Sequence, residues 1–355
     1  YVMIYFSNSK KIFLLIICVI GFFLALPNFS KVNIPLFPKQ TINLGLDLRG
    51  GSYLLLEVDT NSIKNDRSQS LLEDIRSTFR QNKIKYSGLK TNKNGVQVTI
   101  RDDLKINEAK KLVQEFNISS SNLFTNTNNE EFSININDNF FLLDLNENSL
   151  KEKYRSAVSQ SIEIIRRRID GLGVTEPSIQ RQGNNRILLE VPGMDDPQRL
   201  KDLLGQTAKL NFRMVDTSIS VSEARQTRIP SRSEIIRDTN GFEYLVMKKV
   251  LVSGERLVDA QASFDQATNA PIVNFRFDTL GGKYFAKATS ENVGKPFAII
   301  LDNEVISAPV IRTPILGGSG QIEGGFTVEE ANNLSILLRA GALPAPLEIL
   351  EEKTI

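Results

Sequence analysis

The sequence has 355 residues, of which 41% are hydrophobic and 24% are charged, and its formal net charge is +2. This composition is typical of globular proteins with room for two or three domains, and it lacks the basic excess of nucleic-acid-binding proteins. The chain has no histidine and one cysteine, Cys18, which excludes His-based triads, most zinc and haem sites and any intrachain disulfide.

The N-terminal segment is the most apolar part of the chain. The run from Ile12 to Leu26 carries no charge and follows Lys10 and Lys11. It is shorter than the roughly 20 apolar residues that span a bilayer. A cleavable signal peptide is the alternative to an anchor, although no A-x-A-like cleavage site follows. We predict a cytoplasmic N-terminus with a single transmembrane helix in residues 1–30, and an extended tether over residues 31–40.

Residues 41–215 show a mixed pattern of strands and helices that occurs twice. The first set of elements is predicted at 53–58, 68–81, 84–89, 96–100, 107–116, 132–136 and 140–145. The first six of these elements have the order β-α-β-β-α-β, the split pattern of ferredoxin-like units. A second α-β-β-α-β run follows over residues 151–215. We therefore predict an α+β fold with a base of ferredoxin-like units.

The helix that opens the second unit ends in three consecutive arginines, Arg166, Arg167 and Arg168. One interpretation is a binding site for an acidic lipid head group or a phosphate. The other is structural, because cations in the last turn complement the helix dipole and Glu163 to Arg167 is a favourable i,i+4 pair. The sequence leaves both interpretations open.

A polar stretch from Asp216 to Asp238 marks the next boundary. Strands then resume, a helix is predicted near 280–292, and a glycine-rich arm runs from Gly317 to Gly325. We predict that residues 216–325 form an inserted α+β head domain. Residues 326–355 are predicted to return to the base as a helix, opened by a capping box at Thr327, and a strand in which the chain is truncated.

Motifs that carry chemistry are largely missing from the sequence. The run Gly281-Gly282-Lys283-Tyr284 lacks the spacing of a phosphate loop, and no G-x-S-x-G nucleophile elbow occurs. Asp302 and Glu304 fit a hairpin turn better than a catalytic pair. We therefore expect neither an enzyme nor a cofactor or metal site.

Four segments carry a family resemblance. They are LGLDLRGG at 44–51, IEIIRRRIDGLGVTEPSIQRQGNNRILLEVPG at 162–193, AIILDNEVISAPVI at 298–311 and LLRAGALPAPLEILEE at 337–352. In this order they resemble the SecD family, the accessory membrane subunits of the Sec protein-export machinery. Residues 61–150 carry little of the resemblance.

The resemblance implies a location and a set of partners. The location is the bacterial cytoplasmic (inner) membrane, with most of the chain in the periplasm. The implied partners are SecF, the SecYEG channel, YajC, YidC, unfolded exported polypeptides and the lipid bilayer, with no nucleic acid. The implied function is to assist export driven by the proton-motive force, by capturing and releasing the translocating polypeptide on the periplasmic side.

This mechanism requires a binding surface on the head and hinges beside it. The candidate polypeptide-binding residues are aromatic: Phe264, Phe275, Phe277, Tyr284, Phe285 and Phe297. Plain core packing is the alternative interpretation of these side chains. The candidate hinges are Val215 with Asp216, and Gly324 with Gly325.

Two other functions stay open on the sequence alone. One is a membrane-anchored periplasmic chaperone or scaffold that is complete as it stands. The other is the porter portion of a resistance-nodulation-type exporter, which requires a deep apolar pocket between subdomains.

Overall fold

The computed structural model of the protein describes residues 8–25, 50–119, 130–174, 177–194 and 196–354. These residues belong to two compact units, 1–50 and 51–355. The predicted tether at 31–40 and the predicted strand before Gly50, including Asp47 and Arg49, lie outside the described residues.

In chain order, the described α-helices are α1 (Asn8–Ala25), α2 (Thr60–Gln81), α3 (Ile106–Ser119), α4 (Glu147–Gly171), α5 (Pro197–Gly205), α6 (Val221–Gln226), α7 (Thr279–Glu291) and α8 (Val328–Ala340). The described strands are β1 (Gly51–Val58), β2 (Tyr86–Thr91), β3 (Gly95–Ile100), β4 (Phe132–Asn137), β5 (Phe140–Leu145), β6 (Ser178–Gln182), β7 (Arg186–Pro192), β8 (Leu210–Val215), β9 (Ser233–Arg237), β10 (Glu243–Ser253), β11 (Leu257–Phe264), β12 (Pro271–Phe277), β13 (Phe297–Leu301), β14 (Glu304–Ser307), β15 (Ser319–Ile322) and β16 (Leu347–Thr354).

The first unit contributes α1. Its apolar side chains between Ile12 and Ile20 are largely exposed. Among the described residues, no helix combines the length and the apolar character that crossing a membrane requires. The single transmembrane helix stays a prediction.

The first sheet of the second unit has the strand order β16-β1-β7-β6 and is antiparallel throughout. Leu54 of β1 pairs with Leu189 of β7, so both side chains point to the same face. Helix α4 covers that face and buries Ile165 and Ile169 against it. Gly173, with φ +76°, follows α4 in the left-handed conformation that commonly ends a helix.

The second sheet has the order β2-β3-β5-β4 and a separate core. Helix α2 places Leu71, Ile75 and Phe79 on one stripe, as i, i+4 and i+8 spacing requires. These side chains pack with Val98 of β3 and Phe141 of β5, and all five are fully buried.

Neither of the two predicted units of the base forms a single sheet. Strand β1 pairs with β7 and β16, and not with β2 to β5. Strand β8 pairs with β10 and β13, away from β6 and β7. The local strand order is visible in the sequence, whereas pairing depends on which apolar faces meet across long separations.

The third sheet has five strands in the order β14-β13-β8-β10-β9. A parallel bridge between Asp238 and Val305 brings its two edge strands together at one end. The sheet thus curls around a small core that contains Ile236, Val246 and Ile300. Strand β8, placed by sequence at the end of the base, lies in the middle of this sheet.

The fourth sheet has the order β11-β12-β15, and α8 packs against β11 and β12. The side chain of Arg339 in α8 donates two hydrogen bonds to the carbonyl oxygen of Ala260, at 3.1 and 2.9 Å. The other side of α8 contacts α4, where a Cβ added to Gly171 would meet the Ile336 side chain at 2.9 Å. Helix α8 therefore packs between the fourth sheet and the helix of the first sheet.

Side-chain hydrogen bonds define the starts of α8 and α5, and the first of them was predicted. The N–H of Thr327 donates to the Glu330 carboxylate at 2.7 Å, and the N–H of Glu330 donates to the Thr327 hydroxyl at 3.1 Å. This is the predicted capping box of α8. At α5, Asp196 caps the helix and Pro197 occupies its first turn.

Candidate functional site

Four of the six aromatic candidates form a core. The rings of Phe275, Phe277, Phe285 and Phe297 surround Phe212 of β8, with centroids 5.3, 5.2, 5.7 and 6.3 Å from its ring. All five side chains are buried. Burial of these four side chains fits the alternative interpretation of core packing, and their role in polypeptide binding stays a prediction.

The other two aromatic candidates are exposed but separate. Phe264 at the end of β11 is 52% exposed, and Tyr284 on α7 is 50% exposed. No ring contact joins them in the described part of the chain, and neither lines a groove that the structure shows. Their role in polypeptide binding stays a prediction.

The candidate hinge at Val215 and Asp216 lies within the hydrogen bonds of the third sheet. The N–H of Val215 donates to the carbonyl of Pro296 at 3.2 Å, and that of Asp216 donates to Leu245 at 2.7 Å. The buried Asp216 carboxylate accepts hydrogen bonds from Ser218 and Ser233. These hydrogen bonds, with the Ser218 hydroxyl first, hold the pKa of Asp216 below its usual range.

The second candidate hinge combines one restricted and one open position. A Cβ added to Gly324 would lie 2.5 Å from the Phe326 ring and 2.9 Å from the Ile306 carbonyl oxygen. Gly325 has φ +66° and open space around it. The structure therefore favours glycine at both positions. Hinge motion there stays a prediction.

A groove lies between the glycine-rich arm and the first turns of α7, and the charged residues Arg276, Asp278 and Lys283 line it together with apolar ones. This arm groove has a volume of about 620 Å³ and is lined by Val258, Phe277, Gly282, Ala286, Leu316 and Gly318, among others. Leu316 is 74% exposed and Val258 is 50% exposed. Exposed apolar side chains that line one concavity are typical of surfaces that bind other apolar groups.

Glycine permits the arm to lie directly on α7. A Cβ added to Gly318 would lie 3.0 Å from the Cα of Gly282, and Gly318 has φ +64°. At the floor of the arm groove, Asp278 caps α7 by accepting a hydrogen bond from the N–H of Gly281 at 2.6 Å. This hydrogen bond, together with Arg256 at 3.2 Å, lowers the pKa of Asp278.

A buried arginine connects the chain segments between the first and third sheets. Arg168 of α4 is 0% exposed. Its guanidinium donates to the carbonyls of Leu203 and Gln206, both at 2.6 Å, and of Thr207 at 3.2 Å. A fourth hydrogen bond of 3.4 Å reaches the carbonyl of Gly341, after α8. The side chain thus joins the ends of three helices.

Asp302, in the turn between β13 and β14, binds the same segment from the other side. Its carboxylate accepts hydrogen bonds from the N–H groups of Ala208 and Lys209, at 2.9 and 2.8 Å, and from the Thr207 hydroxyl. Ala208 has φ +61°, a strained conformation for a residue other than glycine. We call Arg168, Asp302 and residues 206–209 the junction cluster.

Burial is the main influence on the pKa of Arg168 in the junction cluster. It lowers the pKa of Arg168 to about 10, while the negative charge of Asp302 acts in the opposite direction. The guanidinium therefore stays charged at neutral pH and keeps its donors. This buried role of Arg168 differs from both interpretations of the arginine run, neither of which placed an arginine in the interior.

Helical spacing could have singled out Arg168 in the sequence. Positions 161, 165, 168 and 172 share one face of α4, and Ser161 and Ile165 are fully buried. Arg166 and Arg167 lie on the exposed face and form ion pairs with Glu163 at 3.6 and 3.5 Å. By contrast, the carbonyls that Arg168 binds come from residues 203–207 and 341, which no local pattern indicates.

The described residues show no candidate metal site. No cluster of three or more carboxylate or thiol side chains placed to hold a metal ion occurs among them. The Asp302 carboxylate accepts three hydrogen bonds, two from backbone N–H groups and one from the Thr207 hydroxyl. The arm groove can bind apolar groups, and the junction cluster can couple chain segments.

Comparisons with known proteins place three segments in one group of families. Residues 230–345 match the model "SecDF, P1 head subdomain" and residues 158–217 match "Protein translocase subunit SecDF, P1 domain, N-terminal". Residues 36–62 match "SecD/SecF GG Motif". The arm groove lies within the first of these segments.

Relatives match over nearly the whole chain. A protein translocase subunit SecD of Rickettsia bellii is 44% identical over 346 residues, which cover 97% of this chain and 65% of the relative. The SecD subunit of Syntrophobacter fumaroxidans is 34% identical over 365 residues, covering 98% and 67%. A crystal structure of SecDF in the super-membrane-facing form is similar with a TM-score of 0.51 and 26% identity, covering 98% of this chain and 35% of that one. The chain thus spans 65% of the length of the first relative.

Proposed function

Because the chain belongs to the SecD family of protein translocase subunits, we propose that it assists Sec-dependent protein export by capturing and releasing the translocating polypeptide. SecD proteins form a bacterial inner-membrane family with a periplasmic domain. The proposed place of capture is the periplasmic side.

The arm groove is the observation that carries this proposal. Leu316 and Val258 expose apolar side chains toward one concavity, in the segment that matches the head subdomain of the family. An unfolded polypeptide presents apolar side chains that a folded protein buries, so this groove can bind it without a particular sequence.

We further propose that the junction cluster controls rotation of the third sheet against the first. This rotation would move a captured polypeptide. The chain passes from the helices of the first sheet to the third sheet at residues 206–209, and it returns after Gly341. Arg168 binds carbonyls at both passages. Any rotation of one sheet against the other must change these hydrogen bonds.

The remaining family features are proposed in the same sense. Partners would be SecF and the SecYEG channel, with YajC and YidC as additional partners, and the energy source would be the proton-motive force. The apolar side chains of α1 support a proposed attachment to the bilayer. The order β16-β1-β7-β6, with α4 and α5 in the connections, supports a ferredoxin-like first sheet.

The test is binding of a fluorescently labelled, permanently unfolded polypeptide to the full chain in detergent. We expect the double variant Leu316→Ser, Val258→Ser to raise Kd by about tenfold, since each buried apolar side chain contributes roughly 1.5 kcal/mol or more. The matched control is Val293→Ser, because Val293 is equally exposed but lies outside the arm groove. Equal Kd values for wild type and double variant, or no binding by wild type, would contradict the proposal.

A further inference from the structure

A second groove runs along the free edge of β9. It has a volume of about 970 Å³ and lies between β9 and the segment from Ala224 to Ser231, with Lys248 and Asn303 at its ends. All five residues of β9 line it, and alternate residues of a strand point to opposite faces. The groove therefore follows the edge of the strand, and we call it the edge slot. It shares no lining residue with the arm groove.

The hydrogen bonds of β9 show which backbone groups face the edge slot. The N–H of Lys248 donates to the carbonyl of Arg232, and that of Asp238 donates to Phe242, both at 2.8 Å. Because bonded pairs alternate in an antiparallel ladder, residues 234 and 236 also bond to β10. The N–H groups of Ile235 and Arg237 consequently point away from β10, into the edge slot.

The other groups at this edge already have partners. The N–H of Ser233 donates to the carbonyl of Pro230 at 2.9 Å. The parallel bridge between Asp238 and Val305 joins β9 to β14 just beyond the far end of the strand. These two contacts delimit a short stretch of strand edge that is open to one more strand.

The side chains around the edge slot carry an excess of positive charge. It is lined by four basic residues, Arg225, Arg228, Arg237 and Lys248, and by two acidic ones, Glu234 and Glu243, a balance of +4 and −2. Glu243 binds both Arg225 and Arg237, and Glu234 binds Arg213. Within the described residues, the exposed side chains of Arg228 and Lys248 have no ion-pair partner.

We propose that the edge slot binds an extended acidic segment of a partner protein, which adds to β9 as a sixth strand of the third sheet. Backbone hydrogen bonds to Ile235 and Arg237 fix the strand, and carboxylates on the segment pair with Arg228 and Lys248. Charge complementarity selects an acidic segment over a basic one. This docking surface is additional to the proposed capture of unfolded polypeptide, and the two use different residues.

The first test is binding of a labelled peptide of about ten residues with alternating Val and Asp to the full chain. We expect the double variant Arg228→Glu, Lys248→Glu to raise Kd at least tenfold, and a Val-Lys peptide to bind at least tenfold more weakly than Val-Asp. The control is Lys249→Glu, which changes the neighbouring exposed lysine of β10 that does not line the edge slot. Unchanged affinity in the double variant overturns the proposal.

The second test separates strand addition from simple charge attraction. In the wild-type chain, we expect the Val-Asp peptide to slow exchange of the Ile235 and Arg237 amide hydrogens at least tenfold, with no comparable change at Glu234 or Ile236. Methylation of alternate backbone nitrogens of the peptide should abolish binding when the methylated nitrogens are those that face β9. Methylation of the other set, which faces away from β9, should leave binding intact. Equal effects in both registers, or unchanged exchange at Ile235, would show that the segment binds in another way.

Discussion

The run of three arginines illustrates how neighbouring identical residues acquire different roles. Arg167 extends into solvent and shares Glu163 with Arg166. One residue further, the α4 helix turns Arg168 into the interior, where its guanidinium binds four backbone carbonyls. A buried charge is costly unless its donors are satisfied. Carbonyls at helix ends accept from both terminal nitrogens of this guanidinium, whereas its Nε has no hydrogen-bond partner among the described residues.

The substitution Arg168→Met should destabilise the chain by about 3 kcal/mol or more, since it leaves buried carbonyls without a donor. Urea unfolding of the full chain measures this change. The control Arg167→Met, on the same helix, should cost less than about 1 kcal/mol because exposed ion pairs contribute little. Similar midpoints for the two variants would mean that water replaces the lost donors.

At the scale of elements, one carboxylate joins the end of β8 to the start of β9. Asp216 follows β8 and accepts a hydrogen bond from the hydroxyl of Ser233, the first residue of β9. It also accepts two from Ser218 before α6, at 3.1 and 2.6 Å. The buried carboxylate thus connects β8, α6 and β9, and hinge motion at Asp216 stays a prediction.

This arrangement predicts a defined dependence of stability on pH. Because the pKa of Asp216 is lower in the folded state, its stabilising contribution is complete above the ordinary carboxyl pKa of about 3.9 and disappears as the pH falls through the folded-state pKa. We expect Asp216→Asn to lose about 1–3 kcal/mol at pH 7 and progressively less in acid. Urea unfolding at a series of pH values measures the difference. A constant difference down to pH 3 would contradict this account.

At the scale of the whole second unit, the junction cluster couples separate cores. Asp302 belongs to the third sheet, and Arg168 belongs to the helix over the first. Both bind the segment at 206–209, and helix α8 adds contacts to α4 and to the fourth sheet. Cores linked by such shared polar groups unfold together as long as those groups hold.

Replacing Asp302, which accepts hydrogen bonds from the segment at 206–209, should therefore allow the third sheet to unfold separately from the first. In Asp302→Asn, native-state hydrogen exchange should give Phe212 and Ile299 of the third sheet an opening free energy about 1–3 kcal/mol below that of Leu54 and Leu189. In the wild type we expect the two groups to agree. The control is Glu304→Gln, since Glu304 lies in the same hairpin and is exposed like Asp302, but its carboxylate accepts no hydrogen bond from the described segment at 206–209. Agreement in both variants would place the coupling elsewhere.

The sequence predicts local features of this molecule well and long-range features poorly. The predicted cap at Thr327 depends on a side chain that lies within three residues of its partner. The pairing of β1 with β16 and the acceptors of Arg168 join residues far apart in the chain, so no local pattern reveals them. For the aromatic candidates, residue type alone could not separate the buried Phe275 from the exposed Phe264, because both occur in strands of one hairpin.

The pairing of β1 with β16 has a consequence for the order of events during synthesis. Ser52 at the start of the second unit lies opposite Thr354 at the other end of it. Strand β1 leaves the ribosome early, but its outer edge gains a neighbour only after nearly all of the unit has been made. Contacts of such long sequence separation slow folding. During that interval the nascent chain exposes an apolar strand edge, so a factor that shields it would be needed most while residues between the two strands are still being added.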